Sequence, residues 1–167
     1  MRLLAIDPSL RGTGFAVIET DGKKHRALEY GVITNHAKLS QSGCLVNIHE
    51  KITELVTRHT PEECAVEGVI FVQSLRTAIT LGAARGASML AVAQHGIPIY
   101  EYAPRKVKLA VVGSGAADKK QVAFMIRALL GLTETPPADA ADALAIGLAH
   151  LQSQAGLKLR SQEAVKI

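Results

Sequence analysis

Four carboxylates stand where they could act together. Asp7 closes the apolar run Leu3-Leu4-Ala5-Ile6, and Glu67 closes Ala65-Val66. Both runs read as short buried strands, and the outer carboxyl ends of strands are where α/β sheets build their sites. If the two strands are parallel neighbours, the two acids lie side by side and repel. Asp139 and Asp142 are three apart in an alanine-rich run. On a helix that spacing puts them on one face, with Cβ atoms about 5–6 Å apart. Four converging carboxylates would take up protons unless a cation neutralised them, and an all-oxygen set suits Mg²⁺ or Mn²⁺ rather than zinc. Two such ions about 3.5–4 Å apart can activate a water and stabilise the departing oxygen of a phosphodiester. Each acid also has a structural use. Asp139 and Asp142 would suit the positive end of a helix dipole, and Asp7 could close an Asx turn. Glu67 is the hardest to explain that way. No base lies near it in Cys-Ala-Val-Glu-Gly-Val-Ile, and burying it unpaired is costly.

Other chemistries have less support. Cys44 and Cys64 are the only cysteines and have no companions at metal-ligand spacing, so zinc and disulfide frameworks are disfavoured and both read as reduced thiols. The six histidines show no paired spacing and read as surface or cap residues. The formal charge of +4, from 19 Lys and Arg against 15 Asp and Glu, is compatible with a nucleic-acid partner without requiring one. No apolar run approaches the roughly 20 residues of a bilayer span, and Asp7 interrupts the first one, so the expectation is a soluble cytoplasmic protein without a signal peptide.

The elements that must position these acids follow from periodicity. With 167 residues, 48% of them hydrophobic, the chain suits one domain with an aliphatic core. Residues 2–6 predict a strand, Gly12-Thr13-Gly14 a turn into a second strand over 15–18, and Asp21-Gly22 a turn into a third over 26–34. Leu45, Ile48, Ile52, Leu55 and Val56 predict a helix over 45–59. A fourth strand is expected over 64–69, a helix over 77–95 in which Gly82 and Gly86 permit close packing, and a fifth strand over 97–102. Pro104 starts a helix, Asp118 with Gln121 forms a capping box for another ending at Gly131, and a last helix runs from Ala138 to about Gln154 with both aspartates in its first turn. The result is an α/β fold: a five-stranded mixed sheet, three antiparallel strands and then parallel ones, flanked by helices. Residues 1–155 form the domain, and 156–167 are a polar tail that frays.

These residues resemble a known family, the RuvC-type Holliday junction resolvases of the ribonuclease H-like fold. The resemblance runs from Met1 to about His150. It is carried by Ala5-Ile6-Asp7-Pro8-Ser9 with Gly12-Thr13-Gly14, by Ala65-Val66-Glu67, and by Leu81-Gly82-Ala83-Ala84-Arg85-Gly86. Tyr102-Ala103-Pro104-Arg105-Lys106-Val107-Lys108 and Ala138-Asp139-Ala140-Ala141-Asp142-Ala143-Leu144-Ala145 complete it. The resemblance implies that Asp7, Glu67, Asp139 and Asp142 are catalytic and hold Mg²⁺, two ions per site, with Mn²⁺ able to substitute. It further implies a homodimer that places symmetric nicks in a four-way DNA junction, in homologous recombination and repair, and that works with a branch-migration complex.

Lys108 and Lys119 match lysines near the family's active site, where a cation can stabilise phosphoryl charge. They equally suit a solvated basic face. Lys106 and Lys120, together with Lys119 and the nearby Arg105 and Arg127, are expected to contact DNA phosphates. The chain departs from the family pattern at Ser9, where Gly is usual, and at Gly68, Ile70, Gln73 and Ser74 after the second carboxylate. The family's aromatic has moved one place to Phe71, which could stack on an unpaired base or belong to the core. Two rivals remain: a junction-binding protein that does not cut, suggested by the altered segment 68–74, and an actin-like nucleotide-binding protein, suggested by the Asp7–Gly14 turn. The second normally needs two such domains.

Overall fold

Alternation along the first strand sets the layout. A computed structural model describes residues 1–69, 74–156 and 165–167. In β1 (Arg2–Asp7), Leu3 and Ala5 join one hydrophobic cluster while Leu4 and Ile6 join another on the opposite face of the sheet. Successive strand side chains point to opposite faces, so a strand buried on both sides reads as a continuous apolar run.

β2 (Gly12–Thr20) and β3 (His25–Thr34) follow as an antiparallel meander, and α1 (Gln41–His59), capped by Ser40, crosses over to β4 (Glu63–Glu67). β4 lies parallel to β1, and α2 (Leu75–Ala93) crosses to β5 (Ile99–Tyr102), parallel to β4. Then come α3 (Pro104–Val112), α4 (Lys119–Leu130), α5 (Ala138–Gly156) and β6 (Val165–Lys166). The sheet order is β3-β2-β1-β4-β5-β6. α3, α4 and α5 cover the face carrying Leu3 and Ala5, and α1 and α2 cover the other.

Among the described residues the mixed sheet has the expected directions but six strands instead of five. The extra one comes from the tail, where Val165 and Lys166 pair antiparallel with Glu101 and Tyr100. β4 ends at Glu67 rather than Val69, and β2 begins at Gly12, so the glycines read as a turn lie inside a strand. α2 starts two residues earlier than its apolar pattern, because the Ser74 hydroxyl accepts from the Thr77 amide. The capping box of α4 is present as expected. Gly82 and Gly86 do not serve packing among the described residues, where a Cβ at either would meet nothing within 4 Å.

His150 corrects the surface reading given to the histidines. It is fully buried on α5, its Nε2 is 2.6 Å from Glu63 Oε2, and its Nδ1 is 2.9 Å from the Tyr102 hydroxyl. Its partners come from two strands distant in sequence, which satisfies a polar ring that would otherwise be costly to bury. No helix among the described residues is long and apolar enough to cross a membrane.

Candidate active site

The same alternation that builds the core aims the acids. Asp7 follows Ala5 by two and Glu67 follows Ala65 by two, so both carboxylates leave the sheet on the face covered by α5. Ile6 pairs with Val66 across the parallel ladder, which puts the next residues, Asp7 and Glu67, beside each other where the strands end. Asp139 occupies the first turn of α5 and Asp142 lies one turn on. Each of Asp7, Asp139 and Asp142 offers an oxygen within 4.8 Å of the others. Glu67 stands next to this trio rather than within it.

Two glycines let the helix come this close. A Cβ on Gly14 would sit 2.0 Å from the Asp139 carbonyl oxygen, and one on Gly12 would sit 2.8 Å from Asp139 Oδ2. Neither is needed for a turn; both are needed because the start of α5 rests on β2. Further along the helix, a Cβ on Gly147 would meet Ile18 Cδ1 at 2.6 Å, so α5 lies tight on the sheet over its length.

The electrostatics are those of an unneutralised acidic cluster. Burial, and after it the charges of Glu67, Asp142 and Asp139, push the Asp7 carboxyl up to about 7. Burial and then Asp142 raise Glu67 as well, while Lys119 and Lys108 oppose the rise. Lys119 Nζ donates to Asp142 Oδ2 at 3.2 Å, and that carboxylate raises the lysine. The lysine side chain is 78% exposed, so it is free to swing aside. Oxygen-only donors, close spacing and an excess of negative charge fit a hard divalent cation. Sulfur ligands are absent from the site, both thiols being buried within the α1 and α2 layer.

An open cleft of about 480 Å³ runs from Asp7 and Glu67 past Pro8 and Val69 to Leu81 and Arg85 on α2, and to Pro104 and Arg105 on α3. Lys106 and Lys120 are exposed on α3 and α4. Lys108 is half-buried on α3, close enough to Glu67 to influence its charge. Phe71, with Ile70 and Gln73, lies outside the described residues. Sequence reasoning missed Gly12 and Gly14 as site residues. Their signal was present in two glycines inside a strand pattern, which marks a close backbone approach.

Comparison with known proteins points to one family. The family model for crossover junction endodeoxyribonuclease RuvC matches residues 3–150. The crossover junction endodeoxyribonuclease RuvC of Akkermansia muciniphila is 55% identical over 163 residues, 98% of either chain. That of Chloroflexus aggregans is 44% identical over 151 residues, 90% of this chain and 92% of the relative. Among solved structures, Thermus thermophilus RuvC in complex with a Holliday junction substrate superposes with a TM-score of 0.86 at 38% identity, covering 90% of this chain and 92% of that one. The yeast mitochondrial Holliday junction resolvase Ydc2 shares the fold, with a TM-score of 0.69 at 13% identity, covering 94% of this chain and 80% of that one.

Proposed function

The chain belongs to the RuvC family of crossover junction endodeoxyribonucleases, and from that membership we infer a divalent-metal-dependent endonuclease that resolves Holliday junctions. The observation that carries the reading is the convergence of Asp7, Asp139 and Asp142 oxygens within 4.8 Å beside Glu67, inside the segment matched by the family.

Asp7, Glu67, Asp139 and Asp142 hold the metal, Mg²⁺ in the cell, as two ions with Mn²⁺ able to substitute. Divalent ions held there would supply an acidified water and positive charge for the departing oxygen, a hydrolysis whose products would be 5′-phosphate and 3′-hydroxyl ends. The protein's own work is positional. Asp7 and Glu67 are fixed by strand ends, and Asp139 and Asp142 by a helix that Gly12 and Gly14 allow onto the sheet. Lys119 is held on Asp142 and exposed, ready to exchange that carboxylate for a phosphate oxygen. Lys108 lies on the Glu67 side, and the two lysines would offset charge that grows on the phosphoryl oxygens. Lys106 and Lys120 add phosphate contacts that orient the junction without reading its sequence, and Phe71 stacks on an unpaired base.

Paired symmetric nicks need two sites, and we take the active form to be a homodimer. The support is one face of α2. Leu75, Ile79 and Leu90 are 78%, 61% and 53% exposed there, and Gly82 and Gly86 fall between them at helical spacing with none of the described residues before them. Small residues flanked by large apolar ones suit close approach of a second helix. This face lies across the sheet from the carboxylates, so assembly leaves them accessible. Homologous recombination and repair in the cytoplasm, with a branch-migration complex as partner, complete the reading. Residues 1–155 act as the nuclease domain.

The test is cleavage of a synthetic four-way junction beside a linear duplex of the same sequence, with Mg²⁺ and with chelator. Paired nicks on the junction alone, abolished by chelator, are expected. Junction binding with no nicks on a junction of randomised core would leave the non-cutting reading in its place.

A further inference from the structure

We propose that Arg85 is a positioning residue of the nuclease, clamping the backbone at Glu67 so that its carboxylate keeps the place the metal needs. The proposal rests on the reading of Glu67 as a metal ligand and adds a residue that the acidic cluster does not contain.

Arg85 reaches from α2 to the end of β4. Its Nη1 donates to the Glu67 carbonyl at 2.5 Å, and its Nη2 pairs with Glu101 Oε2. Glu101 lies on β5 between Tyr100 and Tyr102, and alternation turns it towards the α2 face, where Ile99 also points. It has little freedom there. A Cβ on Gly68 would meet Glu101 Oε1 at 2.7 Å, so the carboxylate is seated directly against the residue that follows Glu67. The Gly68 amide in turn donates to the Tyr102 carbonyl at 2.8 Å. The backbone at Glu67 and Gly68 is therefore held by a guanidinium, a carboxylate and a strand partner. The Arg85 side chain is only 14% exposed, and both ends of its fork are engaged, so it belongs to the frame of the site rather than to the DNA surface.

Such a clamp has a function. Glu67 is the last residue of β4, where the chain leaves the sheet, and a small rotation there would swing its carboxylate away from Asp7. Partners that orient metal-binding side chains typically carry 10–100-fold of metal affinity or activity. A planar fork can bridge a carbonyl and a carboxylate at once, whereas a lysine ammonium offers a point charge without that geometry.

The experiment uses the full chain as wild type, Arg85→Lys, Arg85→Ala and Glu101→Gln. Single-turnover cleavage of a four-way junction is followed across Mg²⁺ concentrations, with junction affinity and Tm measured alongside. Arg85→Ala should lose about 30-fold in the saturated rate and need several-fold more Mg²⁺, with junction affinity within about twofold of wild type. Arg85→Lys should recover part of the loss, and guanidinium at low millimolar concentration should rescue Arg85→Ala but not wild type. A wild-type rate and Mg²⁺ dependence in Arg85→Ala overturns the proposal, as does a loss of junction affinity equal to the loss in rate. If Arg85→Ala does not fold, Arg85→Lys decides by its Mg²⁺ dependence alone. Mn²⁺ binding to the free proteins separates this proposal from the reading it rests on. Should wild type fail to cut, the nuclease reading falls, while equal Mn²⁺ affinity in wild type and Arg85→Lys would still refute the clamp.

Discussion

Replacing Gly14 by alanine tests whether the seating of α5 on β2 builds the site. The added Cβ would lie 2.0 Å from the Asp139 carbonyl oxygen and 2.6 Å from its carbon, both backbone atoms that no rotamer change can move. To reach the 3.4 Å at which ordinary contact begins, the start of the helix must retreat by about 1.4 Å. Asp139 and Asp142 travel with it, away from Asp7. A displacement of about 1 Å can cost about 100-fold in rate, so single-turnover cleavage should fall by at least that factor, about 2.7 kcal/mol in the barrier. Overpacking itself costs about 1–3 kcal/mol of stability, a Tm lower by about 2–12 °C for a chain of this size. Gly147→Ala supplies the control. Its Cβ would press on Ile18 Cδ1, a flexible side-chain end, and so should cost stability with little loss of rate. Cleavage by Gly14→Ala within threefold of wild type at an unchanged Mg²⁺ requirement would refute the reasoning, as would equal rate losses in the two variants.

Asp7→Asn should abolish cleavage, keep junction binding, and stabilise the metal-free protein at high pH. The folded Asp7 holds its proton up to about 7, whereas an unfolded aspartate releases it near 3.9, so metal-free stability falls as pH rises through that window. The variant's advantage in Tm should be large at pH 8 and small at pH 4; a gap independent of pH would contradict the assignment. Lys119→Met breaks an exposed pair worth about 0–1 kcal/mol, so Tm should barely move, while cleavage slows by about tenfold and the salt slope of junction binding drops by about one. An unchanged rate would remove Lys119 from the site. Ile79→Asp should turn a sedimenting dimer into a monomer, and persistence of the dimer would exclude the α2 face as its contact.

Much of this was legible in the sequence, and what was hidden has a common cause. Asp7 and Glu67 could be read as strand-end neighbours because each closes an apolar run, and the Asp118–Gln121 box announced α4 because capping is local. Gly12 and Gly14 read as a turn from sequence, since nothing nearby tells a glycine that a helix far along the chain will rest on it. His150 reads as a surface residue for the same reason, its partners Glu63 and Tyr102 coming from separate strands. Gly82 and Gly86 carry a packing signal, but nothing among the described residues meets them. The short β6 carries no apolar pattern of its own; its pairing with β5 is made by backbone groups. Arg85 sits in a segment that the family resemblance marks, yet its role depends on the chance to reach a carbonyl and a carboxylate on two other elements.

The opposed faces of β1 and β4 carry a lesson for how such a gene can change. Odd positions point to α5 and end in a carboxylate, while even positions fill the α1 and α2 layer. Losing one codon inside either strand would exchange the two sets, driving Asp7 or Glu67 into hydrocarbon and its apolar neighbours towards the cleft. Losing one codon from the exposed bend at Asp21–Lys24 would alter only a hairpin tip. A change of length within β1 or β4 therefore moves an acid out of the cleft, whereas one at that bend leaves every acid in place.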